Sequence, residues 1–217
     1  MSSGITVAMP TIPQRAHTLL PQALKSVMDQ QLLPDAIAIA VDNDKAGAWA
    51  TRQRALDMVR TEWTAFLDDD DLMYPEHLRL LMLRAHQAQA DYVFSYNDIM
   101  APGGAGDVFA TYNRETGQMT APGHLGKVFD PDNPHHTTMT ILVKTDLAQS
   151  VPFTPRPEGD YAGGEDWRFT IGCRDLGAKI VHLPRMTWFY RYVPNGNTSG
   201  RPDLGDALKE GIMEPPR

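Results

Sequence analysis

Four consecutive aspartates, Asp68 to Asp71, are the strongest chemical signal in the sequence. Adjacent carboxylates repel one another, so such a run gains stability only when a cation lies among its oxygens. Carboxylate oxygens suit hard divalent cations, and a cation held by one or two of them keeps positions open for substrate phosphates. The run therefore predicts a Mn²⁺ or Mg²⁺ site that faces a phosphorylated substrate. The alternative is a solvated acidic turn that caps the helix predicted to begin at Pro75.

The surrounding pattern favours the cation site, because the aspartates follow a buried strand in an alternation of strands and helices. Short apolar runs predict the strands, and apolar residues at helical spacing predict the helices. The predicted strands are Ile5–Met9, Ala36–Val41, Trp63–Leu67 and Asp91–Ser95, and the predicted helices are Thr18–Gln30, Ala46–Val59 and Pro75–Ala90. This alternation predicts an α/β fold with a parallel sheet covered by helices on both faces. Its ligand site lies at the C-terminal strand ends, where Pro10-Thr11, Asp42 to Asp44 and Asp68 to Asp71 converge.

The second half of the sequence is less regular. A turn rich in Gly and Pro before Val108–Tyr112 predicts a β-hairpin, and Glu115 to Pro134 is predicted to be a long loop. The later predicted elements are the strands Thr138–Val143, Lys179–Leu183 and Thr187–Tyr192 and the helix Glu165–Leu176. We predict one domain over residues 1–195, with a nucleotide-binding half of about 1–95 and an acceptor-side half of about 96–195. A partly flexible tail follows over 196–217.

Charge and composition exclude several classes of protein. The 217 residues include 20 Lys and Arg against 27 Asp and Glu, and the net charge of −7 disfavours binding to nucleic acid. No apolar run reaches the roughly 20 residues that span a bilayer, and the N-terminus lacks the features of a signal peptide. The single cysteine, Cys173, excludes a disulfide scaffold. These features predict a cytoplasmic protein without a membrane span.

Several motifs in this order resemble glycosyltransferase family 2. Asp68-Asp69-Asp70 resembles the D-x-D motif of glycosyltransferases with the GT-A fold, and the similarity extends from about Ile5 to Ser199. The other matching segments are Thr6 to Arg15, Leu24 to Gln30, Val41 to Asp44, Gly164 to Trp167 and Tyr190-Arg191. The resemblance implies a Rossmann-like fold with a mostly parallel central sheet, flanking helices and a small additional β-hairpin region. It also implies inverting transfer of a sugar from a nucleoside-diphosphate sugar, typically a UDP-sugar.

The resemblance implies a pocket for the base and ribose of the donor. Pro10, Thr11 and Arg15 would shape this pocket. Asp42 would hydrogen-bond the base. Here the sequence departs from the family, because it has Asp-Asn-Asp-Lys where the family often has Asp-Asp-Gly-Ser.

Two arginines and the aspartate run would contact the rest of the donor, again by resemblance. Arg52 would reach the diphosphate or the base pocket, and Arg191 would lie near the diphosphate. Asp68 would contact the ribose, the metal or a metal-bound water, Asp69 would complete the donor contacts, and Asp70 would hold Mn²⁺ or Mg²⁺. Asp71 would position the loop or share the metal. The cation would neutralise charge as the diphosphate leaves.

Glu165 and Asp166 begin a predicted helix, where carboxylates also suit the positive end of the helix dipole. By resemblance, Asp166 is the general base that takes the proton of the acceptor hydroxyl, and Glu165 positions Asp166 or the acceptor. One base opposite one leaving group implies inversion at the anomeric carbon. The alternative for this pair is an ordinary N-terminal cap.

Other interpretations stay open at this point. The acceptor is a glycan, a protein, a lipid-linked sugar or a metabolite, a homodimer is allowed, and His135 and His136 are further candidates for the site. A nucleotidyltransferase shares the alternating layout, but Met9 to Pro13 is not the Gly-rich phosphate loop that it needs. The main alternative to an enzyme is a non-catalytic protein of the same fold that binds sugar nucleotides or carbohydrate.

Overall fold

A computed structural model of the chain describes residues 4–100, 111–113, 118–120, 139–155 and 164–191. The strands are β1 (Ile5–Thr11), β2 (Ala36–Val41), β3 (Trp63–Phe66), β4 (Leu72–Met73), β5 (Tyr92–Met100), β6 (Thr111–Asn113), β7 (Gln118–Thr120), β8 (Ile141–Lys144) and β9 (Ile180–Arg191). The helices are α1 (Leu20–Met28), α2 (Ala48–Asp57), α3 (His77–Ala88), α4 (Thr145–Gln149) and α5 (Glu165–Asp175), and a short 3₁₀ helix covers Pro13–Arg15.

Seven strands form one mixed sheet in the order β2-β1-β3-β8-β5-β9-β4. β1 is parallel to β2 and β3, and β5 is parallel to β9. β8 pairs antiparallel with both β3 and β5, and β4 pairs antiparallel with β9. Strands β1, β2, β3, β5 and β9 therefore all run in one direction, against β8 and β4. This arrangement confirms the predicted α/β fold, and β6 and β7 form a separate antiparallel pair. The turn that was predicted before Val108–Tyr112 lies outside the described residues.

The centre of the sheet differs from a simple alternation of strands and helices. In a simple alternation, β3 and β5 would be neighbours in the sheet. Here β8 lies between them. β9 is a single strand, because Pro184 and Arg185 are accommodated as a bulge where the register against β5 shifts. In the sequence these two residues divide the apolar pattern into two shorter strands. β7 lies inside the predicted loop from Glu115 to Pro134, and its partner is β6.

Two apolar layers cover the sheet, and the alternation of side chains along β1 defines them. Val7 and Met9 face the layer that contains α1 and α3, and the fully buried Leu81 of α3 belongs to the same layer. Ala8 faces the opposite layer, which contains Leu56 of α2 and residues of α4 and α5. Because both faces of the sheet are covered, polar side chains gather at the strand ends.

Aromatic packing sets the position of α5 relative to β3. The rings of Phe153 and Phe169 stack with centroids 4.5 Å apart, and Phe66 meets Phe169 edge-on at 5.8 Å. A side chain at Gly172 would collide with Val151, so this glycine lets α5 approach closely. Phe66 directly precedes the aspartate turn and Phe169 lies one helical turn after Asp166. The core therefore brings the two acidic segments together.

No helix within the described ranges is long and apolar enough to cross a membrane. His135, His136 and the predicted tail over 196–217 lie outside the described residues.

Candidate active site

The aspartate run forms a tight turn at the C-terminal end of β3. The N–H of Asp71 donates to the carbonyl oxygen of Asp68 at 3.1 Å, and the chain then enters β4. β1 is the parallel neighbour of β3 and ends at Thr11, next to the turn. The predicted convergence of polar residues at one edge of the sheet is therefore present.

Asp69 is the buried anchor of this turn, with 3% of its surface exposed. Its carboxylate accepts a hydrogen bond from Thr11 Oγ1 at 2.6 Å and one from Arg15 Nη1 at 2.8 Å. Arg15 Nη1 also lies 2.9 Å from Asp70 Oδ2. Thr11, Arg15 and Asp69, which were predicted for the donor site, thus lie together and contact one another.

Arg52 on α2 links the turn to α5. Its Nε and Nη2 donate to the two carboxylate oxygens of Asp68, at 3.2 and 2.6 Å, and its Nη1 donates to Glu165 at 2.5 Å. Burial opposes a charge on Arg52, but the Asp68 and Glu165 carboxylates outweigh it and raise the pKa of this guanidinium. The side chain predicted to reach the diphosphate is therefore a buried cation between two acidic segments.

Arg191 closes the turn from the far side, at the end of β9. Its backbone N–H donates to Asp71 Oδ1 at 3.0 Å, and its Nε donates to the carbonyl oxygen of Asp70 at 3.0 Å. Its Nη2 donates to Gln22 Oε1 of α1 at 2.8 Å. The strand that carries the predicted Tyr190-Arg191 motif therefore holds the turn in place through both backbone and side chain.

Asp68, Asp70 and Asp71 each offer a carboxylate oxygen, and these oxygens lie within 4.8 Å of one another. Burial, and then the neighbouring Asp68 carboxylate, raise the pKa of Asp70 to about 6. Burial and the carboxylates of Asp70 and Asp68 hold the pKa of Asp71 well above its usual value. The three side chains form an all-oxygen donor set whose mutual repulsion a hard divalent cation would relieve, so they fit the predicted metal.

Asp166 occupies the first turn of α5, beside Glu165. Burial raises the pKa of Asp166 to about 6, against the opposing effect of the Arg52 charge. The carboxylate of Asp166 accepts the backbone N–H of Trp167 at 2.7 Å. Gly164 precedes the helix, and a Cβ atom there would lie 2.6 Å from Asp166 Oδ1. The glycine thus leaves the space that the Asp166 side chain uses.

Asp42 lies at the end of β2, and its N–H donates to the carbonyl oxygen of Thr11 at 2.8 Å. Its carboxylate accepts the backbone N–H groups of Ala46 at 2.8 Å and Gly47 at 3.0 Å, so it also shapes the loop before α2. Gly47 has φ of +96°, a conformation that glycine adopts without strain. Pro10 is buried in β1, opposite Ala40 of β2.

Two features of the site have no signal in the sequence. Gln22 is an ordinary polar residue on a helix, and only the fold brings it to Arg191. The pairing of Arg52 with Glu165 joins residues 113 positions apart. Contacts of this kind depend on how α2 and α5 pack, which hydrophobic periodicity does not encode.

Residues 20–99 match the family described as Glycosyl transferase family 2. The resemblance to glycosyltransferase family 2 is confirmed. The matched segment includes Asp42, Arg52 and the whole aspartate run, but not α5. Curated proteins contain no match to this chain.

Solved structures of S. aureus TarS share the fold of this chain. Residues 1–349 of TarS in complex with UDP-GlcNAc give a TM-score of 0.67 at 15% identity, over 93% of this chain and 61% of that one. TarS 1–349 without a named ligand gives 0.63 at 17% identity, over 88% of this chain and 60% of that one. A complex of TarS 1–349 with UDP gives 0.61 at 16% identity, over 89% and 61%. The chain thus spans about three fifths of these relatives. At 15–17% identity, the likeness to these structures is one of fold.

Proposed function

We propose that the chain is a metal-dependent glycosyltransferase that moves a sugar from a UDP-sugar to an acceptor hydroxyl with inversion. One observation carries the proposal: Arg52 bonds both Asp68 and Glu165. It thereby joins the cluster of Asp68, Asp70 and Asp71 to the segment that carries Asp166. The TarS structures, solved in complex with UDP and with UDP-GlcNAc, support a UDP-linked donor.

The strand ends supply the donor pocket in this proposal. Asp42 hydrogen-bonds the base, and Pro10 lines the pocket beside it. Thr11 and Arg15 act through Asp69, since their side chains hold the turn that presents the neighbouring carboxylates. Arg191 braces the same turn from β9.

Asp68 and Asp70, with Asp71 beside them, would hold a divalent cation, which neutralises negative charge on the departing diphosphate. The two guanidinium groups of Arg15 and Arg52 balance part of the charge of the acidic cluster. The cluster has more carboxylates than cationic partners, and this imbalance favours cation binding.

Asp166 is the general base of the proposed reaction. It accepts the proton of the acceptor hydroxyl as that oxygen bonds to the anomeric carbon, while the bond from this carbon to the diphosphate breaks. A carboxylate with a pKa of about 6 is ionised at neutral pH and still basic enough to take a proton. Attack opposite the leaving group inverts the configuration. The division into one domain over 1–195, the cytoplasmic location and the homodimer stay predictions.

The first test is calorimetric binding of UDP, GDP, CDP and TDP, each with and without Mn²⁺. The proposal expects Mn²⁺-dependent binding of UDP, loss of that binding in Asp70→Asn, and normal binding in Asp29→Asn. Asp29 is a suitable control because it is an exposed carboxylate paired with Lys25 on α1. A folded protein that binds none of the nucleotides would contradict the donor site.

The second test measures UDP release from UDP-sugars, beginning with UDP-GlcNAc, with and without a panel of acceptors. Release that requires Mn²⁺ and Asp166 supports the enzyme, and the anomeric configuration of the product tests inversion by NMR. Tight UDP binding without any release would instead favour a sugar-nucleotide-binding protein.

A further inference from the structure

The side chain of Arg52 is a buried junction between the aspartate turn and α5. Only 7% of its surface is exposed, and it contacts Asp68 with two nitrogens and Glu165 with the third. The residues that it joins are 16 and 113 positions away in the sequence. A buried guanidinium is costly to desolvate unless its donors are satisfied, so these pairings define one arrangement of the three side chains.

The contacts of α5 differ along the helix. Asp166 accepts the N–H of the adjacent Trp167, whereas Arg168 Nη2 donates to the carbonyl oxygen of Thr154 at 3.1 Å and Thr170 Oγ1 lies 2.9 Å from the Tyr92 hydroxyl. The ion pair of Glu165 with Arg52 therefore ties the first helical turn to the rest of the site. Phe169 secures the helix one turn later through its stacking on Phe153.

We propose that Arg52 and Glu165 are positioning residues, which hold the first turn of α5 against Asp68 and so fix Asp166 at the donor site. This inference rests on the proposed function for the role of Asp166. Glu165 is then a tether and not a second base. The guanidinium suits this role because its planar fork reaches two carboxylates at once, whereas a lysine offers a single nitrogen.

Hydrogen exchange of the α5 first turn tests the tether without any need for activity. In Glu165→Ala and in Arg52→Lys, we expect exchange of the hydrogen-bonded amides at 168–170 to accelerate by at least about tenfold, since the buried pair no longer holds the first turn. The control is Arg174→Gln, which removes a half-buried arginine paired with Asp175 at the other end of α5. Unchanged exchange at 168–170 in both site variants would overturn the inference.

Catalysis then separates a tether from a second base. Glu165→Gln keeps an oxygen that accepts the Arg52 hydrogen bond but has no basicity, so a tether predicts a much smaller loss of UDP-release rate in Glu165→Gln than in Glu165→Ala. Glu165→Ala should lose about a hundredfold in rate at saturating donor, because the base is misplaced, while the affinity for UDP with Mn²⁺ changes little. Equal losses in Gln and Ala would contradict a tether and favour direct proton transfer by Glu165.

The two proposals fail in different ways. If the original protein neither binds UDP with Mn²⁺ nor releases it from UDP-sugars, the proposed function fails, whatever the exchange data show. If it does both, and Glu165→Ala exchanges and reacts as the original does, the positioning role alone fails.

Discussion

Thr11 donates a hydrogen bond of 2.6 Å to Asp69, although 58 positions separate the two residues. This bond ties the end of β1 to the middle of the aspartate turn, and Arg15 adds an ion pair to the same carboxylate. The central residue of the Asp68-Asp69-Asp70 motif is thus turned into the protein. Its neighbours Asp68 and Asp70 contribute oxygens to the acidic cluster instead.

Thr11→Val should destabilise the turn, because the valine keeps the shape of the side chain but leaves the buried Asp69 carboxylate short of one donor. We expect the free energy of unfolding to fall by about 1–3 kcal/mol, with weaker binding of UDP in the presence of Mn²⁺. Denaturant unfolding and calorimetry measure the two effects. Thr18→Val, at an exposed threonine beyond the 3₁₀ helix, is the control. Equal stability of the two variants would show that the Thr11 bond contributes nothing.

In the proposed reaction, Asp166 as the general base would give the rate a defined pH dependence. Because its pKa is raised to about 6 and only the ionised form accepts a proton, UDP release should rise with pH through about 6 and then level off. Rates are measured at saturating donor and Mn²⁺, so that nucleotide binding does not contribute. Asp166→Asn should lose at least about a hundredfold in rate and still bind UDP. A variant that retains the rate would remove Asp166 from the mechanism.

The absence of a side chain at Gly164 leaves room for Asp166 at the start of α5. Gly164→Ala would bring a Cβ atom against Asp166 Oδ1 and displace that side chain, so we expect about a hundredfold slower UDP release from a folded protein. The control is Gly177→Asn, at the other end of α5, where φ is +84° and asparagine is tolerated. If Gly164→Ala reacts at the original rate, Asp166 does not need this space.

His77 makes the stability of the fold depend on pH. It is fully buried, its Nδ1 lies 2.6 Å from Thr187 Oγ1, and burial lowers its pKa to about 3. The unfolded chain protonates this histidine near pH 6.5, so its stabilising effect is lost as the pH falls below that value. Between pH 7 and pH 5 we expect a loss of about 2 kcal/mol that His77→Leu does not show.

Denaturant unfolding at the two pH values measures this difference. His86→Leu removes an exposed histidine from the same helix and should retain the pH dependence of the original protein. If His77→Leu also retains it, the buried ring is not its source.

Much of the fold follows from the sequence, because continuous apolar runs identify buried strands and apolar residues at helical spacing identify helices with one buried face. The strands β1, β2 and β3 and the helices α1, α2, α3 and α5 lie within a few residues of their predicted positions. The two-residue strand β4 and the five-residue helix α4 are too short to show a period. The antiparallel placement of β8 depends on contacts across 81 positions, such as the hydrogen bond between Thr64 and Thr145.

The candidate site, too, is only partly predictable from the sequence. Convergence of the acidic residues follows from strand order, since the C-terminal ends of parallel strands share an edge. The partner of each side chain does not follow, because Arg15 and Arg52 are long enough to reach several carboxylates. Only the packing of α2 and α5 against the sheet decides that Arg52 meets Glu165.

The central position of β8 has a consequence for the synthesis of the chain. β3 and β5 are both complete when residue 100 has emerged from the ribosome, yet the strand that pairs with both is residues 141–144. Until then, these two strands present unpaired edges that can bind other chains. Pairing across such a sequence separation is slow, and the nascent protein is exposed to aggregation in the interval. The other neighbour of β5, β9, is made later still, at residues 180–191, so the sheet is completed late in translation.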